Sequence, residues 1–89
     1  MKAIVTVIGK DQVGIIAGVC TLLAAQGVNV LDISQTIMQD YFTMIMMVDT
    51  AACRASFEEL GSTLDAWGRE KALSIRIQRE DIFEAMHRI

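Results

Sequence analysis

The residues of this 89-residue chain best suited to holding a ligand cluster at the two ends of one apolar stretch. Gly9-Lys10-Asp11-Gln12-Val13-Gly14 reads as a loop between two apolar segments. Where a helix begins just beyond such a loop, its free backbone N–H groups and positive end suit a carboxylate. Asp11 is the candidate N-cap of that helix, and Gly14, lacking a side chain, lets a ligand or a neighbouring backbone come close. Asn29 follows the same helix, and its amide both donates and accepts, matching the ammonium and carboxylate of an amino acid.

Other chemistries find too few groups. General acid–base or nucleophilic catalysis needs convergent ionisable side chains. Asp11 and Asp32 are the best candidates, but they fall in different elements without a histidine or reactive cysteine beside them. Asp32 reads as an exposed strand residue. A built-in metal site needs a ligand cluster, whereas Cys20 and Cys53 lie in separate elements and His87 is the single histidine. Gly9 to Gly14 has the glycine spacing of a phosphate-binding loop, but Ile15-Ile16 stands where Lys-Ser/Thr is required. No cofactor is expected. A net charge of −3 with scattered basic residues argues against a nucleic-acid partner.

The composition, 53% apolar and 21% charged, is that of a folded chain. Its length suits one domain that is marginal as a monomer and gains from oligomerisation. Cys20 and Cys53 sit among apolar neighbours and read as buried, reduced thiols, which points to the cytoplasm. Met1-Lys2 leads straight into a strand pattern, so no signal peptide is expected. Gln12 to Leu31 is long enough to span a membrane, yet Gln12, Gln26, Asn29 and three glycines interrupt it. No membrane partner is expected.

The pattern of apolar residues supplies the elements. Lys2 to Ile8 reads as a strand, apolar on both parities and so central and covered on both faces. Ile15 to Gln26 has helical spacing, is apolar nearly all round and should be buried on more than one side, and Gly27 ends it. Val28 to Gln39 alternates, with Leu31, Ile33 and Ile37 as its core face and Asp32, Ser34 and Thr36 as its polar face. After a turn at Asp40, Tyr41 to Val48 completes an antiparallel hairpin. Phe57, Leu60, Leu64 and Trp67 form one helical stripe. Ser56-Phe57-Glu58-Glu59 fits a capping box, though the helix start can also be placed nearer Thr50. Leu73, Ile75 and Ile77 alternate with Ser74, Arg76 and Gln78 as the fourth strand, and Asp81 to His87 has the spacing of a short C-terminal helix.

The order βαββαβ predicts an α+β, ferredoxin-like fold: a four-stranded antiparallel sheet with two helices on one face, plus the short terminal helix. That fold hosts many functions, so the site must carry the argument. RNA recognition on it needs aromatic platforms on the central strands, and acyl-phosphate hydrolysis needs an arginine in the first loop, where this chain has Lys10.

Val7-Ile8-Gly9-Lys10-Asp11-Gln12-Val13-Gly14-Ile15-Ile16, then Gly27-Val28-Asn29-Val30 and Asp32-Ile33-Ser34-Gln35, resembles the ACT domain, a small regulatory module that usually binds amino acids. The likeness extends in element order over residues 1–89 as a single ACT-like domain. It is nearest to the small stand-alone ACT-domain proteins of bacteria, with the ACT domains of the glycine cleavage system repressor as a related comparison. The resemblance implies a non-catalytic sensor that forms a side-by-side homodimer through its first helix and second strand. It places Asp11, Gly14 and Ile15 in the ligand loop, with Asn29 completing the site. Many amino-acid-binding members carry Asn where this chain has Asp11 and Pro where it has Val13. A carboxylate at position 11 holds an ammonium but repels a carboxylate. The alternative is a ligand-free protein–protein interaction or assembly module. In either case an unknown protein partner is implied. Ile45 and Met47, opposite in parity to Phe42, Met44 and Met46, suggest an apolar patch on the open sheet face that would support a higher oligomer.

Overall fold

A computed structural model of the chain describes residues 1–81. Its elements run β1 (Lys2–Lys10), α1 (Ile15–Ala25), β2 (Asn29–Met38), β3 (Tyr41–Asp49), α2 (Phe57–Glu70) and β4 (Leu73–Arg79). The strands form one sheet in the order β2-β3-β1-β4, every neighbouring pair antiparallel. This is the expected ferredoxin-like α+β architecture. Of the expected C-terminal helix, everything beyond Asp81 lies outside the described residues.

The core forms between the helices and one sheet face. Alternation sends Ala3, Val5 and Val7 of β1, Phe42, Met44, Met46 and Val48 of β3, and Leu73 and Ile75 of β4 to that face, where all are buried. Helix α1 meets them with Ile15, Val19 and Leu23, and α2 with Leu60 and Leu64. These positions are four residues apart, so each helix contributes one stripe. Ser56, rather than a residue nearer Thr50, starts α2. Its hydroxyl accepts the Glu59 N–H at 3.1 Å while the Glu59 carboxylate accepts the Ser56 N–H at 3.0 Å, completing the capping box. At the far end of α1, the Gly27 N–H donates to Ala24 and the Val28 N–H to Leu23, a Schellman ending. The Arg54 guanidinium also donates to the Ala25 carbonyl there.

Several expectations are corrected. Helix α1 buries a single stripe, and Ile16, Ala17, Thr21, Ala24 and Ala25 remain exposed. Cys20 and Cys53 are half-buried, not enclosed. Strand β1 is central, and its face away from the helices is covered only in part: Ile4 is 6% exposed there while Ile8 is 47% exposed. Strand β2 differs most. Its pairing with β3 shifts between Val30 and Asp32, leaving Leu31 as an unpaired bulge residue. Beyond the bulge, Ile33 and Ile37 pair with Met46 and Phe42 and share the helix-bearing face. Yet β2 is an edge strand that the helices do not cover, so Leu31, Ile33 and Ile37 are exposed rather than core.

Candidate ligand-binding site

The loop between β1 and α1 is tied down on both sides. The Asp11 N–H donates to the Asp40 carbonyl of the β2–β3 turn at 2.7 Å. The Gln12 side-chain amide donates to the Lys71 carbonyl at the end of α2 at 2.9 Å. Between these anchors the chain turns into α1 at Gly14, whose φ of +89° is a left-handed conformation that side chains disfavour.

Gly14, not Asp11, is the N-cap of α1, and no side chain caps this helix end. Asp11 lies three residues earlier, exposed, with its backbone committed to the β2–β3 turn. The opening N–H groups of the helix therefore have no competing carboxylate or hydroxyl.

Asp11, Gly14 and Ile15 line one cleft of about 370 Å³, together with Gln12, Ile16, Ala17, Gln35, Ile37 and Phe42. Loop and helix start form one wall, and the exposed upper half of β2 forms the other. Ile15 and Phe42 are buried beneath it, giving an apolar floor with an amide (Gln35) and a carboxylate (Asp11) at its margins. Three of the four residues singled out from sequence thus come together.

Asn29 does not join them. It pairs with Asp49 at the opposite end of β2, eight residues from Ile37 and therefore about 26 Å away along the strand. Conversely, sequence reasoning missed Gln35 and Ile37 as site residues. A signal for Gln35 existed: it is the one polar residue between Ile33 and Ile37 on their shared parity, an odd choice for a purely packing face.

A second groove, of about 290 Å³, lies on the other flank of the loop among Gln12, Val13, Gly14, Ile15, Gly18, Trp67 and Lys71. The Lys71 ammonium stands 5.8 Å from the Trp67 ring centroid, a cation–π distance. The Gln12–Lys71 hydrogen bond on this side fastens the first loop to the end of α2. Among the described residues, no group of His, Cys, Asp or Glu is arranged to hold a metal ion, and no helix is long and apolar enough to cross a membrane.

Element order and sheet order are those of a ferredoxin-like α+β module, and residues 2–78 match the family model for the ACT domain. The chain belongs to that family, whose members are regulatory domains that generally bind amino acids. A UPF0237 protein of Clostridium acetobutylicum is 56% identical over 89 residues, covering all of both chains. Among solved structures, the ACT domain protein from Streptococcus pneumoniae superposes with a TM-score of 0.83 at 45% identity, over 98% of each chain. A candidate glycine cleavage system transcriptional repressor has a TM-score of 0.74 at 22% identity, over 86% of this chain and 44% of that one, and shares the fold.

Proposed function

We propose that this chain is a non-catalytic sensor that binds a small amino acid or related metabolite in the cleft between the first loop and β2, with a second copy of the chain closing the site. The observation that carries this reading is the uncapped start of α1 facing an edge strand whose apolar side is exposed. The free N–H groups suit the ligand's carboxylate. Asp11 suits its ammonium, and the Gln35 amide serves either group.

The second copy closes the cleft with its own β2 edge. If two β2 edges pair antiparallel about a two-fold axis near Ser34, the end of β2 bearing Asn29 lies beside the other chain's Ile37 end. The partner's β2 then closes the cleft and covers the exposed Leu31, Ile33 and Ile37, while Asn29, paired with Asp49, lies on the opposite sheet face. Ligand binding would favour one arrangement of this dimer and so alter contacts with a partner protein. The shift is limited by the difference in affinity between the two arrangements.

A second reading, a ligand-free assembly module, draws support from the same exposed apolar edge, which invites pairing with or without a metabolite. Thermal unfolding against the twenty amino acids and related metabolites at millimolar concentration separates the two. A ligand at 100 times its Kd adds about 2.7 kcal/mol, raising the midpoint by roughly ten degrees or more. Such a shift, lost in Gln35→Ala while the particle mass is unchanged, supports the sensor. A flat panel overturns it in favour of assembly alone.

A further inference from the structure

The sheet face away from the helices has its own pattern. Alternation and register place Lys2, Ile4, Thr6, Ile8 and Lys10 of β1 on it, beside Asp49, Met47, Ile45, Thr43 and Tyr41 of β3. Its centre is apolar: Ile4 is buried yet stands apart from the helix-side core, Met47 is half-buried and Ile45 is 43% exposed. The flanks differ in charge. Strand β2 contributes Asp32, and β4 contributes Arg76.

We infer that this open face is a self-complementary surface that stacks on the same face of a second copy of the chain, about a two-fold axis running parallel to the strands between β1 and β3. That rotation carries β1 onto the partner's β3 and β2 onto its β4 without moving any residue along the strand direction. Residues that pair across β1 and β3 within one sheet therefore meet again between the two sheets. Thr6 falls on Ile45 and Lys10 on Tyr41, while Lys2 falls on Asp49, each contact occurring twice, and the half-buried Met47 lies over the buried Ile4. Asp32 lands on the flank of Arg76, one pleat repeat (about 7 Å) away along the strand and within an arginine's reach.

Charge selects this axis. The other in-plane two-fold, perpendicular to the strands, lays Lys2 on Lys10 and sets Arg76 against its own copy. Aligned packing of two sheets at about 30° accommodates the stack. Four strands by about eight residues give a face on the order of 500 Å² per copy, so the pair reaches about 1,000 Å², the lower bound for a specific interface. The charges fix orientation and the apolar centre supplies affinity. This surface is separate from the β2 edge, so the two contacts together would build an assembly larger than a dimer.

Sedimentation equilibrium on the full chain tests the inference. Ile45→Asp, at an exposed position, is expected to halve the particle mass while leaving the circular dichroism of the fold intact. Arg76→Asp is expected to weaken the same association about tenfold, because two corners per interface acquire like charges, and adding Asp32→Arg is expected to restore it. A monomeric wild type at millimolar protein overturns the inference. So does a mass unchanged by Ile45→Asp. Failure of the double variant to recover overturns the axis. None of these readouts depends on a metabolite or on the β2 edge, which Ile33→Asp probes separately.

Discussion

A β-carbon built on Gly18 of α1 would lie 2.4 Å from Cζ2 of Trp67 on α2, so the indole rests directly against bare helix backbone. This contact sets how closely the two helices approach, and with it the groove beside the β1–α1 loop. Gly18→Ala gains up to about 1 kcal/mol of helix propensity. It must also displace a half-buried ring, an overpacking cost of about 1–3 kcal/mol. We expect a net loss of about 1 kcal/mol, lowering the thermal midpoint by about 4–8 °C. A midpoint at or above wild type in a calorimetric scan would contradict the contact.

Gly14 presents the opposite case. A β-carbon there meets nothing within 4 Å, but φ is +89°. Gly14→Ala should cost about 1–2 kcal/mol through backbone strain alone, and Gly14→Asn less, since asparagine tolerates left-handed backbone. Urea unfolding of both variants checks the order. Equal stabilities would indicate that the turn relaxes.

Replacing Ser56 by Ala removes the hydroxyl that accepts the Glu59 N–H. Losing such a cap costs typically about 1 kcal/mol, and Ser56→Thr should retain most of it. Denaturant midpoints with unchanged slopes would confirm a pure stability effect.

Two carboxylates set the acid behaviour. The Ser56 N–H and hydroxyl hold Glu59 below the usual carboxylate range. The Ala51 N–H does the same for Asp49, helped by the terminal amine of Met1 at 3.5 Å. Both groups are depressed in the folded state, so protons bind the unfolded chain more readily. Their stabilisation is fully present above the ordinary carboxylate values near pH 4 and disappears as pH falls through the folded values. The thermal midpoint should be level from about pH 7 to 5 and fall below about pH 4. In Glu59→Ala that acid decline should be shallower.

Core truncation gives the largest effect. Leu64 is fully buried between α2 and the sheet, and Leu64→Ala is expected to cost about 2–5 kcal/mol. For a domain this small the loss approaches the whole folding free energy. The variant should show a greatly lowered or absent cooperative transition.

Element order, the capping box at Ser56 and the close of α1 at Gly27 were legible in the sequence because their causes lie within a few residues. Hydroxyls, carboxylates and glycines act on the backbone beside them. The loop from Asp11 to Ile15 was legible as a candidate site for the same reason, and its motif named the family. Asp11 misled as a cap because α1 starts only beyond Gly14, three residues later, while the Asp11 N–H is tied to Asp40, 29 residues away. Periodicity revealed that Leu31, Ile33 and Ile37 share a parity, but alternation alone cannot distinguish a core face from an uncovered edge. That distinction, the bulge at Leu31, the arrival of Gln35 beside Gly14 and the removal of Asn29 to the far end of β2 depend on which strands pair and where the helices lie. Local chemistry fixes each element as it forms. Burial and neighbourhood arise only when segments distant in sequence close the sheet, and at the β2 edge the described chain leaves apolar surface open.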